Sequence, residues 1–100
     1  MTDEIKLSKD AIKGVRAREL LDNDLIQEAF TTLEAAYTKA WRLTTIDDAA
    51  GREKLFLAIN VVGKVRDHLV SVMNNGTLAT EELRRLAETA ERARRWEDVR

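Results

Sequence analysis

Not one proline interrupts the hundred residues of this chain, and only four glycines do. Proline removes a backbone donor and glycine loosens the backbone, so a chain nearly free of both favours long helices. The 35% of charged residues agree with that, because solvated helix faces need them. Aromatics are sparse (Phe30, Tyr37, Trp41, Phe56, Trp96), which argues against a β-sandwich and against a stacking platform for bases. The absence of cysteine excludes a disulfide scaffold, a thiolate zinc site and a cysteine nucleophile together. The expected class is all-α, in one domain of 11.4 kDa.

Four helical segments can be read from caps and periodicity. The first, an N-terminal helix within residues 1–22, runs from about Lys9 to Leu21 with Ser8 as its N-cap; Gly14 weakens it in mid-segment. A turn or kink follows at Leu21-Asp22-Asn23-Asp24, where Asp22 or Asn23 would cap the next helix. The second segment, about Asp24 to Thr44, carries the stripe Ile26, Phe30, Leu33, Tyr37, Trp41. Thr45 and Asp48 have the spacing of a capping box at the start of the third, which extends from about Asp47 to Asn74. There Leu55, Ile59, Val62, Val65–Arg66, Leu69 and Val72–Met73 repeat at three- and four-residue steps. The link between these two segments is short, which predicts a long antiparallel hairpin over about 24–74. Asn74-Asn75-Gly76 reads as its end, with Gly76 as a left-handed C-cap. Thr77 or Thr80 would then cap a charged C-terminal helix over 77–100, laced by Glu81–Arg85, Glu88–Arg92 and Glu91–Arg95.

A domain this small buries only about 60–65% of its extended-chain surface. Its own core is modest, and self-association is the natural route to more burial. The expected core and oligomer interface is Phe30, Leu33, Tyr37, Trp41, Leu55, Ile59, Val62 and Leu69.

The chain shows no catalytic constellation. His68, the one histidine, has Lys64, Val65, Ser71 and Val72 at ligand spacing, so no metal site is expected around it. Asp47 and Asp48 stand at a helix start, where adjacent acids serve as caps. No glycine-rich phosphate cradle and no nucleophile elbow is present. A non-enzyme without metal or cofactor is the expectation.

The net charge of -1 excludes a protein whose whole surface attracts nucleic acid. One local pattern is more suggestive. Lys6, Lys9, Lys13 and Arg16, at spacings of three, four and three, put four cations along one helical face. Such a row can follow phosphates and release counterions. Against it stands the balance of residues 1–24, five cations to six acids. A helix-turn-helix over Lys9–Leu43 fails, because its recognition helix would commit its aromatic stripe to packing and its turn is acidic.

The N-terminal residues carry acids and no apolar run, so no signal peptide is read there. Leu55–Met73 is interrupted by Asn60, Lys64, Arg66, Asp67 and His68, and no segment reaches the roughly 20 apolar residues of a membrane span. No membrane partner and a cytoplasmic location are expected.

The stretch Arg16-Ala17-Arg18-Glu19-Leu20-Leu21-Asp22-Asn23-Asp24-Leu25-Ile26-Gln27-Glu28-Ala29-Phe30 is followed by Leu33-Glu34, Tyr37 and Trp41. Arg52-Glu53-Lys54-Leu55 and Val62-Gly63-Lys64-Val65-Arg66-Asp67-His68-Leu69 complete the pattern. Over roughly residues 16–86 it resembles a family of short helical proteins of phages and prophages. Some of these are similar to the reduced small terminase subunits of phages and gene transfer agents. The resemblance implies a helical hairpin that assembles into a ring, recruits the large terminase ATPase, and works in DNA packaging or head assembly in a bacterial host. Unlike larger small terminases the chain has no separable DNA-binding domain, so the implied DNA contact is weak and non-specific. The alternative is a phage-encoded inhibitor that binds a host defence or regulatory protein.

Overall fold

The computed structural model describes Thr2–Val99. Three α-helices account for nearly all of it: α1 Thr2–Asp22, α2 Asp24–Arg42 and α3 Ala49–Val99. No strand occurs among the described residues, and the chain is all-α. No described helix is long and apolar enough to cross a membrane. The helices contribute to two compact units, one of residues 18–70 and one of residues 1–17 with 71–100.

In the first unit the break between α1 and α2 is a single residue. Asn23 takes extended angles (φ -75°, ψ 120°), and its Oδ1 accepts from the Ile26 amide at 3.1 Å. Of the two expected caps, Asn23 is the one used. The Gln27 side chain donates to the Leu21 carbonyl at 2.7 Å, satisfying an acceptor that the end of α1 would leave orphaned. Replacing Asn23 by Ala removes the cap, and urea unfolding should show a loss of about 1 kcal/mol. α2 stops at Arg42, two residues short of the expected end, and Thr44 donates to the Trp41 carbonyl at 2.6 Å. Asp48 caps α3, its Oδ1 accepting from the Gly51 amide at 3.0 Å. The Thr45–Asp48 box therefore resolves to one Asp cap, and Asp47 stays outside the helix. α2 and the start of α3 run antiparallel: Arg52 lies over the Trp41 ring at 5.9 Å, and Arg66 over Phe30 at 5.1 Å.

The second unit departs from the sequence expectation in three places. α1 starts at Thr2, so Ser8 is an interior residue and not a cap. Asp3 and Glu4 in the first turn suit the positive end of the helix dipole, which explains the earlier start. Asn74-Asn75-Gly76 does not end a helix, and there is no separate C-terminal helix over 77–100. α3 continues through to Val99, and no residue of the described backbone has positive φ. Thr77 and Thr80, expected as N-caps, instead donate to the carbonyls of Met73 (3.2 Å) and Gly76 (2.9 Å), as hydroxyls inside a helix do.

The physical reason lies at Gly76. A methyl group there would lie 2.5 Å from the Gly14 Cα, and one on Gly14 would lie 2.6 Å from the Gly76 Cα. The two glycines are the crossing point of α1 and the C-terminal part of α3. Each is followed three residues later by an alanine, Ala17 and Ala79, both 3% exposed. Two Gly-x-x-Ala edges thus let the backbones meet, and the helix continues because its glycine is covered rather than turned.

Beyond the crossing, α3 is held by its own charges. Arg84 reaches Glu81 at 2.7 Å and Arg94 reaches Glu91 at 2.6 Å, both three residues apart. Of the three expected four-residue pairs only Glu91–Arg95 forms, at 3.8 Å. Glu81 chooses Arg84, and Glu88 approaches Arg84 at 3.6 Å. The hydrogen bond from Arg84, and then its charge, hold the Glu81 carboxyl below its ordinary value. A carboxylate depressed in the folded state adds helix stability above its unfolded pKa and loses it as pH falls through the folded one. NMR titration should find Glu81 below its value in Arg84→Ala.

Candidate interaction surfaces

Among the described residues no large side chain is completely buried. The fully buried hydrophobic residues are Ala17 and Ala79. The chain leaves 8301 Å² accessible, where a folded monomer of its mass leaves about 5,800 Å². Surface of this kind is where interactions are expected.

The residues of the expected hairpin core all lie within residues 18–70 and are only partly covered. Phe30, Tyr37, Leu55, Ile59, Val62 and Leu69 are half-buried, while Leu33 and Trp41 are 43% and 36% exposed. Two arginines, which sequence reasoning left outside the core, close its edges. Arg66 stacks over Phe30 and pairs with Glu34 at 2.9 Å, each side chain about two-thirds covered. Arg52 stacks over Trp41. Arg66 does fall on the periodic line of α3, four residues after Val62, but its charge kept it from the expected core. Partly solvated cation–π contacts of this kind contribute about 0.5–1 kcal/mol.

The basic row occupies one exposed line of α1: Lys6, Lys9, Lys13 and Arg16 all face solvent. At about 100° per residue that line lies roughly 90° round the helix from Gly14 and Ala17. None of the four makes an ion pair among the described residues. At its N-terminal end the row meets acids. Lys6 lines a hollow with Asp3, Glu4, Asp10 and Glu82, which would repel a phosphate there. Lys9, Lys13 and Arg16 stand beyond that hollow.

His68 is exposed on α3. Among the described residues no three of the histidine and acidic side chains are gathered as metal ligands.

The chain matches no protein-family model, no curated protein and no solved structure.

Proposed function

We propose that this chain is a non-catalytic, self-assembling scaffold in phage DNA packaging or head assembly, acting in the manner of the reduced small terminase subunits that residues 16–86 resemble. The observation that carries the assembly half is the half-covered hairpin: a stripe with Phe30, Trp41 and Leu55 in it remains partly open to solvent. Apolar surface stabilises a contact by about 25 cal/mol per Å² hidden, so a partner surface is expected to cover it. The packaging half rests on the resemblance and on the exposed cations of α1. The protein works in the cytoplasm of the bacterial host, as a homo-oligomer that presents its charged surfaces to a large terminase ATPase.

DNA contact on this reading is electrostatic. With Lys9, Lys13 and Arg16 on phosphates and Lys6 held off by its acidic neighbours, log K falls with log salt at a slope of about -2.7, which is roughly a 40-fold loss between 50 and 200 mM salt. Binding to DNA-coated sensors across that range tests it, together with capture of the ATPase from infected cells. A chain of single-copy mass that is not retained on DNA at low salt refutes the proposal.

A further inference from the structure

Asn74-Asn75-Gly76 carries a chemical capacity that the helix running through it does not use. An asparagine followed by glycine can react with its own backbone, because no β-carbon on the glycine shields the next amide nitrogen. That nitrogen attacks the carboxamide carbon of the asparagine side chain. The bond from this carbon to the side-chain nitrogen breaks, ammonia leaves, and a five-membered succinimide remains. Water then opens the ring to aspartate or isoaspartate, depending on which carbonyl it attacks. No other reactant is needed. Asn75-Gly76 is the one asparagine–glycine step in the sequence.

The fold withholds this reaction at two levels. Closing the succinimide ring turns ψ of the asparagine far from the helical value of about -42°, so Asn75 cannot react while it is helical. The helix is weak there on its own account, because asparagine and glycine both cost helix stability and favour turns. The second level is α1. A methyl on Gly14 would stand 3.3 Å from the Gly76 nitrogen and 3.3 Å from the Val72 carbonyl oxygen. A methyl on Gly76 would stand 2.9 Å from the Asp10 carbonyl oxygen and 3.1 Å from the Gly14 nitrogen. Gly76 is buried, whereas Asn75 is exposed. The leaving group therefore lies in water and the nucleophile lies under a helix. No base reaches the Gly76 N–H to take its proton until α1 lifts.

We propose that Asn75 is a latent site of self-modification guarded by α1. While the Gly14–Gly76 crossing is closed the amide persists, and each excursion that opens the crossing lets the succinimide form. Closing does not reverse the change. Isoaspartate adds a methylene to the main chain at position 75, which breaks the i to i−4 ladder beside the crossing and keeps α1 from seating again. Aspartate puts a carboxylate in place of the neutral amide. The site thus records how long α1 has been away, and it does so whether or not the chain has a packaging role.

The test follows the conversion of Asn75 by peptide mass spectrometry, on the full chain incubated at mildly alkaline pH. Chemistry that waits on opening tracks the population of the open form. Folded wild type should react at least about tenfold more slowly than the same chain unfolded in urea. Gly14→Leu sets a branched side chain against the Gly76 backbone and should speed the folded reaction about tenfold or more. Circular dichroism checks that this variant stays helical. Gly63→Ala, whose methyl meets nothing within 4 Å, should react no faster than wild type. If Gly14→Leu loses its helix, wild type decides. In urea below its main transition, its rate should rise before the helical signal falls. Equal rates in folded and unfolded wild type would overturn the inference. So would a helical Gly14→Leu chain at the wild-type rate, a wild-type rate that rises only with loss of helix, or conversion at Asn74 in place of Asn75.

Discussion

Gly76→Ala should destabilise this protein, although replacing glycine by alanine inside a helix ordinarily stabilises it by about 1 kcal/mol. The inversion follows from the helix crossing. The added methyl would fall 2.5 Å from the Gly14 Cα and 2.9 Å from the Asp10 carbonyl oxygen. Both are backbone atoms, which cannot turn aside as a side chain would. α1 and α3 must move apart, and overpacking of this kind costs about 1–3 kcal/mol, more than propensity returns. The control is in the same helix. A methyl on Gly63 would meet nothing within 4 Å, so Gly63→Ala should gain close to the full propensity term. Urea unfolding of both variants at one chain concentration reads the two signs. Equal signs would mean that the helices do not cross at Gly14 and Gly76.

Phe30→Ala should cost about 2 kcal/mol. A fully buried phenylalanine costs about 3–5 kcal/mol when truncated, and Phe30 is half-buried. Its ring also supports Arg66, whose guanidinium lies 5.1 Å from the ring centroid while pairing with Glu34 at 2.9 Å. Without the ring, Arg66 loses a stacking partner and keeps only a partly solvated ion pair, worth little on its own. Arg66→Ala should therefore cost less in Phe30→Ala than in wild type, and a double-mutant cycle measures that coupling. Additive effects would show that the ring and the guanidinium act independently.

The sequence was legible where local chemistry decides the outcome. Asn23 and Asp48 cap the helices that follow them because a short side-chain acceptor can reach the free amides of a first turn. The core stripe from Phe30 to Trp41 and its partner on α3 were legible because one period of 3.6 residues runs through each. Legibility failed where a distant segment overrides a local signal. Asn74-Asn75-Gly76 has the residues of a helix end, and nothing nearby reveals that Gly14, sixty-two residues earlier, takes up the space that the Gly76 hydrogen leaves. Gly14, a weakness of the first helix by propensity, is the other half of that contact.

These placements bear on the candidate surfaces as well. Lys6, Lys9, Lys13 and Arg16 were legible as one face because an uninterrupted helix holds them, and α1 runs even further than caps alone indicated. The acids beside Lys6 belong partly to α3, through Glu82, so only the fold reveals that end of the row as unfavourable to phosphate. Residues 18–70 hold the half-covered hairpin stripe and residues 1–17 the exposed cations. On the proposed reading, assembly and phosphate contact are therefore separable by substitution.

Self-association is the central claim, and sedimentation equilibrium of the unmodified chain over a micromolar dilution series tests it most directly. The expected result is a mass of at least two chains, about 23 kDa or more, falling towards 11.4 kDa only on dilution. A mass of 11.4 kDa throughout the series would contradict it.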